Sequence, residues 1–278
     1  MKKIDIHLHT PFDNALMDMA SPAEDMLPHL EELGIRHGVL MAISGRWNEQ
    51  NMKTVEKYPG RFSWMCHVDL DQDIETQLKY FKEKGAVGVG EITHNLWIDN
   101  PLIQQIFAAA EKLDMPVLFH MSPEEGYSYG IADKPGLPML EQALKNYPKL
   151  KFIGHSQSFW HEMTGDAATG TEDRNQWGQG PVKPGGRVPY LFEHYPNLYG
   201  DLSANSGGQA IMRDEKHGLE FLHRYADRLF FATDMVNVTM EFPLGKWLDK
   251  QFAAGNLSAE DYEKICFKNA EKLIKGEL

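Results

Sequence analysis

The sequence predicts an α/β fold built as one eight-fold (β/α)8 barrel, the TIM-barrel class, and three observations lead there. Eight short apolar runs recur along the 278 residues, each β-branched or aromatic enough for a buried strand. Helical patterns separate nearly all of them, so the strands are expected to run parallel and to be joined by crossover helices. No shift in composition marks a linker, and a hydrophobic content of 42% suffices for one large core. The expected domain spans residues 1–278.

The first run, Lys3-Ile4-Asp5-Ile6-His7-Leu8-His9, reads as a strand over 3–9. Strict alternation predicts Ile4, Ile6 and Leu8 on one face and Asp5, His7 and His9 on the other. Ser21-Pro22-Ala23-Glu24 has capping-box form with proline at the first helical position, and Met26, Leu27, Leu30 and Leu33 carry a helical stripe to Gly34. Further strands are expected at 38–43, 62–68, 87–92, 117–120, 152–155, 198–202 and 229–233. Helices are expected at 74–85, 102–113, 137–147 and 219–226, and Ser258 resembles the cap of a last helix reaching Ile274. Tyr58-Pro59, Tyr147-Pro148 and Tyr195-Pro196 each close a helical stretch ahead of a strand, because proline disfavours helix at the residue before it. The connections after the fifth and sixth strands, 121–136 and 156–187, are too long for turns and read as lids or binding elements.

In such a barrel the carboxyl ends of all strands meet at one mouth, where catalytic groups gather. Five of the expected strands stop on groups that bind divalent ions: His7 and His9, Glu91, His120, His155 and Asp234. Imidazole and carboxylate together suit zinc and related ions. Asp5 is expected to orient His7. His67 and His94 also lie at strand ends. Arg46 and Trp47 follow the second strand, Arg174, Trp177 and Arg187 sit in the sixth-strand loop, and Ser203 and Asn205 follow the seventh. These are candidates for substrate binding, the arginines for a carboxylate and the tryptophans for a ring.

Composition narrows the partners. There are 28 basic and 40 acidic side chains, a formal charge of −12, which disfavours nucleic acid and anionic membranes. Cys66 and Cys266 read as reduced core residues rather than a disulfide or metal cluster. The ligand pattern starts at residue 5, with no apolar stretch of signal-peptide kind before it, and no later run is long enough for a bilayer, so a cytoplasmic location is expected. The expected partner is a small-molecule substrate. A homo-oligomer stays open.

With these residues in view, the chain resembles the amidohydrolase superfamily, and within it the amidohydrolase-related (amidohydrolase 2) group of hydrolases and nonoxidative decarboxylases. His7-Leu8-His9, His120, His155, Asp234 and Asn269-Ala270 in the last helix carry the resemblance, which covers essentially the whole sequence. It implies one or two divalent ions, typically zinc with manganese as an alternative, held by His7, His9, His120 and Asp234. It also implies that Asp234 takes a proton from a metal-activated water, and that His155 either binds a second ion or polarises the substrate. Where many members carry a carboxylated lysine on the fourth strand, this chain has Gly88-Val89-Gly90-Glu91-Ile92. That segment also resembles the TatD-like and phosphotriesterase-lactonase-like branches, which leaves Glu91 either a bridging ligand or a hydrogen-bonding support for a ligand histidine. The leading expectation is hydrolysis of a small cyclic ester, lactone or amide. The alternatives are decarboxylation of an aromatic or unsaturated acid and a noncatalytic metal-binding scaffold; a DNA phosphoesterase is disfavoured by the acidic balance.

Overall fold

The computed structural model describes residues 2–13 and 19–278. Its strands are β1 (Lys3–Leu8), β2 (Ile35–Leu40), β3 (Phe62–Cys66), β4 (Ala86–Ile92), β5 (Val117–Ser122), β6 (Ile131–Ala132), β7 (Phe152–His155), β8 (Leu198–Asp201) and β9 (Leu229–Phe230). All but β6 follow one another around a nearly closed parallel barrel, the (β/α)8 architecture. Among the strands β6 pairs with β5, and its Ala132 also bridges Trp97, so the loop after β5 is not structureless. The ring is drawn shut beyond β9, where the Asp234 N–H donates to the His7 carbonyl at 2.9 Å and the His9 N–H to the Met235 carbonyl at 3.0 Å.

Proline punctuation works as the sequence suggests. Helices Gly45–Lys57, Pro138–Asn146 and Arg187–His194 end on Tyr58, Tyr147 and Tyr195, each still donating its N–H back into the helix. The expected box at Ser21 does not form. Helix Ala23–Glu32 starts from Pro22 without a side-chain cap, because the Ser21 hydroxyl is engaged by the Val238 N–H at 3.2 Å. At the other end of the chain Ser258 does cap, accepting the Asp261 N–H at 3.1 Å, and Cys66 and Cys266 are buried free thiols.

Two apolar layers surround the strands. Ile4, Ile6, Val39, Met41, Met65, Leu118, Ile153 and Phe230 fill the barrel, which Ala270 and Leu273 of helix Asn269–Lys275 plug from the end opposite the mouth. Leu8, Leu40, Trp64, Phe119 and Phe152 face outward instead, against helix residues such as Met26, Leu30, Leu78 and Phe107. No helix among the described residues is long and apolar enough to cross a membrane.

This division corrects the alternation expected for β1. Ile6 lies inside the barrel and Leu8 outside it, so His7 between them cannot follow a period of two. The pairing explains how: Asp5 opposes Gly38 and Leu8 opposes Leu40, so β1 holds one residue more than β2 across the interval. That bulge carries Ile6 and His7 to the same side. Asp5 supports it. Its Oδ1 accepts the N–H groups of His7 at 2.9 Å and Thr233 at 3.1 Å, and its Oδ2 accepts the Thr233 hydroxyl at 2.5 Å. Burial pushes the Asp5 carboxyl up to about 7 even against these donors. β4 shows the same offset before its ligand candidate, since Val89 and Ile92 oppose Val117 and Phe119.

Removing the Asp5 carboxylate would orphan buried donors, each costing about 1–3 kcal/mol. Asp5→Ala is therefore expected to lower stability by about 3 kcal/mol in equilibrium urea unfolding. A wild-type midpoint would show that the bulge is held by something else.

Candidate metal centre and substrate cavity

Six strand-end groups named from the sequence converge at the barrel mouth. His7 and His9 place their Nε2 atoms 3.0 Å apart. Asp234 Oδ1 lies 3.4 Å from the first and 3.3 Å from the second. Across from them, Glu91 Oε2 is 3.8 Å from His7 Nε2 and 3.6 Å from His9 Nε2. The other oxygen of the same carboxylate, Oε1, is 2.8 Å from His120 Nδ1 and 3.6 Å from His155 Nε2. His155 Nε2 also lies 3.7 Å from Asp234 Oδ2. All of these side chains are buried except Asp234, whose carboxylate is 27% exposed and turned toward the cavity.

Asp201, at the carboxyl end of β8, is the group that the sequence reading missed. Its Oδ2 receives His7 Nδ1 at 2.6 Å, the Ser203 hydroxyl at 2.9 Å and lies 3.2 Å from His155 Nδ1, while its Oδ1 takes the Ser203 N–H at 2.8 Å. Ser203 Oγ in turn sits 2.9 Å from His155 Nδ1. With Asp201 and Ser203 placed to accept from both Nδ1 atoms, both Nε2 atoms face the mouth, which in the neutral ring is the tautomer that a metal ligand needs. Asp5, expected to orient His7, holds only its backbone; the ring is held by Asp201. The signal was available, because Asp201 ends a strand on a carboxylate as Asp234 does.

Neighbouring loops brace this carboxylate. Trp160, buried in helix Gln157–His161, donates its indole N–H to the Asp201 carbonyl at 2.9 Å. It fits because residue 200 is glycine, where a Cβ would stand 2.9 Å from the indole. Left-handed backbone at Ser156, Ala204 and Asp234, with φ of 96°, 55° and 61°, redirects the chain after β7, β8 and β9. Such strain concentrates where function requires it.

Charge in the cluster is mutually dependent. Burial opposes protonation of His7, yet Asp234, Asp201 and Glu91 outweigh it and raise the ring to about 10. Burial likewise opposes ionisation of Glu91, Asp201 and Asp234, but the surrounding imidazoles hold all three below the usual carboxylate range. His120 is depressed, burial prevailing over Glu91. Three carboxylates, two of them fully buried, facing four rings thus call for positive charge. The donor set fits a divalent ion: His7, His9 and Glu91 offer ligand atoms within 4.8 Å of one another, as do Glu91, His120 and His155.

Beside the cluster opens a cavity of about 390 Å³, reaching His120, His155 and Asp234 and walled by Tyr129, Trp177, Met240 and Phe242 with Asn205 and Glu241. Tyr129 is laid against His120, ring centroids 4.1 Å apart, by the segment that leads into β6. Gly130 permits this approach, since a Cβ there would stand 2.7 Å from the His120 carbonyl oxygen.

Of the residues expected at substrate, Trp177 and Asn205 line this cavity. Trp47 is buried edge-on against the His9 ring at 5.8 Å. Arg46 lies elsewhere, in a surface groove with Glu49 and Asp69. Arg174 is a correction: it is buried, and its Nη1 donates to the carbonyls of Pro123 at 2.7 Å and Asp133 at 2.9 Å, tying two loops together. His67 and His94 stack on each other at 4.6 Å and do not line the cavity.

A family model described as amidohydrolase matches residues 4–275. No curated protein matches the chain. Among solved structures, 2,6-dihydroxybenzoate decarboxylase from Rhizobium is 19% identical with a TM-score of 0.65, covering 99% of each chain. A Pseudomonas putida protein described as a candidate 2-pyrone-4,6-dicarboxylic acid hydrolase is 18% identical with a TM-score of 0.64, covering 100% of this chain and 98% of its own. A dihydroxybenzoic acid decarboxylase from Polaromonas sp. JS666, solved with bound manganese, is 21% identical with a TM-score of 0.57, covering 99% and 97%. At these identities the likeness is one of fold.

Loss of an orienting carboxylate typically costs 10–100-fold in metal affinity. Asp201→Asn is expected to weaken zinc or manganese binding by about that factor in a chelator competition, with the circular dichroism of the fold retained. Unchanged affinity would remove Asp201 from this role.

Proposed function

Because this chain belongs to the amidohydrolase family, we propose that it is a metal-dependent hydrolase adding water to a small cyclic ester, lactone or amide. The observation that carries this reading is the attitude of Glu91, with one oxygen toward His7 and His9 and the other toward His120 and His155. A carboxylate shared in this way suits two divalent ions, zinc first and manganese as the alternative. His7, His9 and Asp234 would hold one, His120 and His155 the other, with Glu91 between them. Bound there, the ions supply Lewis acidity toward a carbonyl oxygen and lower the pKa of water.

The remaining work falls to the chain's own groups. Asp201 and Ser203 keep the His7 and His155 rings in one tautomer, so that neither donor atom drifts from the mouth. Asp234 reaches over the cavity from a left-handed turn whose N–H is anchored on the His7 carbonyl. Its carboxylate is placed to accept the proton of the attacking water and return it to the leaving oxygen or nitrogen. Tyr129 and Trp177 flank the space where the substrate ring would lie, which limits its orientations relative to that base.

Hydrolysis and decarboxylation call on the same residues, so the test must see both products. Purified enzyme loaded with zinc or manganese is expected to release acid from lactone, ester or amide panels without carbon dioxide. Release of carbon dioxide from phenolic acids, with no lactone, ester or amide opened, would replace the hydrolytic reading by the lyase one.

The general-base role predicts that Asp234→Asn lowers kcat by about 10²–10⁴-fold with metal still bound. The bridging role predicts that Glu91→Ala reduces the metal content, measured by mass spectrometry after dialysis, from two ions per chain to one or fewer. Full metal content in Glu91→Ala would refute the shared site.

A further inference from the structure

The cavity beside the cluster shows which body of substrate it accepts. Outside the cluster five of its nine lining residues are apolar or aromatic, with Gln157, Asn205, Ser206 and Glu241 polar, and two of the rings are left strongly exposed, Tyr129 by 58% and Trp177 by 47%. Such half-wet rings around a concave space are what a ligand's apolar body covers. Glu241 is the charged wall residue outside the metal cluster; it is paired with Lys246, a side chain 72% exposed that lies outside the cavity.

Guanidinium groups close enough in sequence to serve a substrate carboxylate are engaged elsewhere. Arg174 directs only its Nη1 to two backbone carbonyls, Arg187 donates to the Gly136 carbonyl at 2.6 Å and pairs with Glu141, and Arg213 directs only its Nη1 to the Gln179 carbonyl at 2.9 Å; none of the three lines the cavity. Among the described residues that line the cavity there is no lysine or arginine. The stretch 14–18 reads Asn-Ala-Leu-Met-Asp and contains no base. A formal charge of −12 sets a field that opposes an approaching anion.

Resting on the hydrolytic reading, we propose that the substrate is an uncharged lactone or aryl ester of one or two rings. Its carbonyl meets the imidazole–carboxylate cluster, and its body lies between Tyr129, Trp177 and Phe242. Water adds across the acyl C–O bond: the carbonyl carbon gains hydroxyl and the acyl oxygen leaves with a proton, giving one hydroxy acid from a lactone, or a carboxylic acid and a phenol from an aryl ester. A carboxylate on the body of the substrate, away from the scissile bond, would enter a space with Glu241 on its wall and no guanidinium to meet it. This separates the chain's preference from that of a dicarboxylate hydrolase of the same fold.

The test uses metal-loaded enzyme at low ionic strength, where surface charge is least screened. Its probes are dihydrocoumarin, dihydrocoumarin-6-carboxylate and the 6-trimethylammonio analogue. The neutral and cationic lactones are expected to be opened with kcat/KM within a few-fold of each other, and the carboxylate at least about tenfold more slowly. Trp177→Ala is expected to raise KM for dihydrocoumarin about tenfold, and Glu241→Lys to raise kcat/KM for the carboxylate by about the same factor. Equal turnover of neutral and carboxylated lactones, or no response of the carboxylate to Glu241→Lys, overturns the inference while leaving hydrolysis standing. Failure of all three lactones, with carbon dioxide released from phenolic acids, overturns both.

Discussion

One additional residue in β1 decides what the barrel mouth contains. Were β1 in even register with β2, the alternation that buries Ile4 and Ile6 inside the barrel would send His7 out toward the helices. The offset between Asp5 and Leu8 cancels that, and a similar offset in β4 precedes Glu91. A bulge interrupts the ladder and leaves backbone groups in need of partners. Asp5 answers this on β1, and because it also binds Thr233 it ties the bulge to the chain just ahead of Asp234. The chain at His7 and the chain just ahead of Asp234 are therefore held by one buried carboxylate.

Legibility in the sequence follows from what each pattern can encode. Parallel strands alternating with amphipathic helices show clearly, since each helix buries only one face. Strand ends were visible too, because His7, His9, Glu91, His120, His155 and Asp234 break apolar runs. The bulge was not visible. Barrel strands are apolar on both faces, so Ile6 inside and Leu8 outside read the same as two residues on one face. Arg174 misled for a related reason: in a loop rich in Gly and Pro an arginine looks free, whereas this one is buried and two loop carbonyls claim its Nη1. Asp201 ends its strand in plain view, and its importance emerges only when β7, β8 and β1 are brought together.

Asp201 also accounts for the electrostatics of the cluster. A carboxylate buried against two imidazoles is stable only while those rings donate to it, which commits their opposite nitrogens to the mouth. Glu91 and Asp234 then add negative charge on the side where those nitrogens present lone pairs. Neutral rings alone leave this excess uncompensated; a proton on His7 relieves part of it, and divalent cations relieve more while using every donor already aimed inward. Protons and a divalent ion bound there would thus compete for the same site, and occupancy would be coupled to pH through the rings rather than through exposed surface groups.

Strands and loops divide the labour between chemistry and selection. Each side chain of the cluster lies at or just past the end of β1, β4, β5, β7, β8 or β9, where packing on two apolar layers leaves it little freedom. The cavity walls come from connections instead: Tyr129 from the segment leading into β6, Trp177 from the long excursion after β7, Met240 and Phe242 from the stretch after β9. A loop can change its wall residues without moving a ligand, so one mouth serves different reactions on different substrates. Two solved decarboxylases and a candidate hydrolase each resemble this chain in fold at 18–21% identity, and the fold alone does not choose between those reactions. On the hydrolytic reading proposed above, the choice would rest on how Glu91 and Asp234 face a substrate carbonyl, and on what charge the loop-borne rings admit beside it.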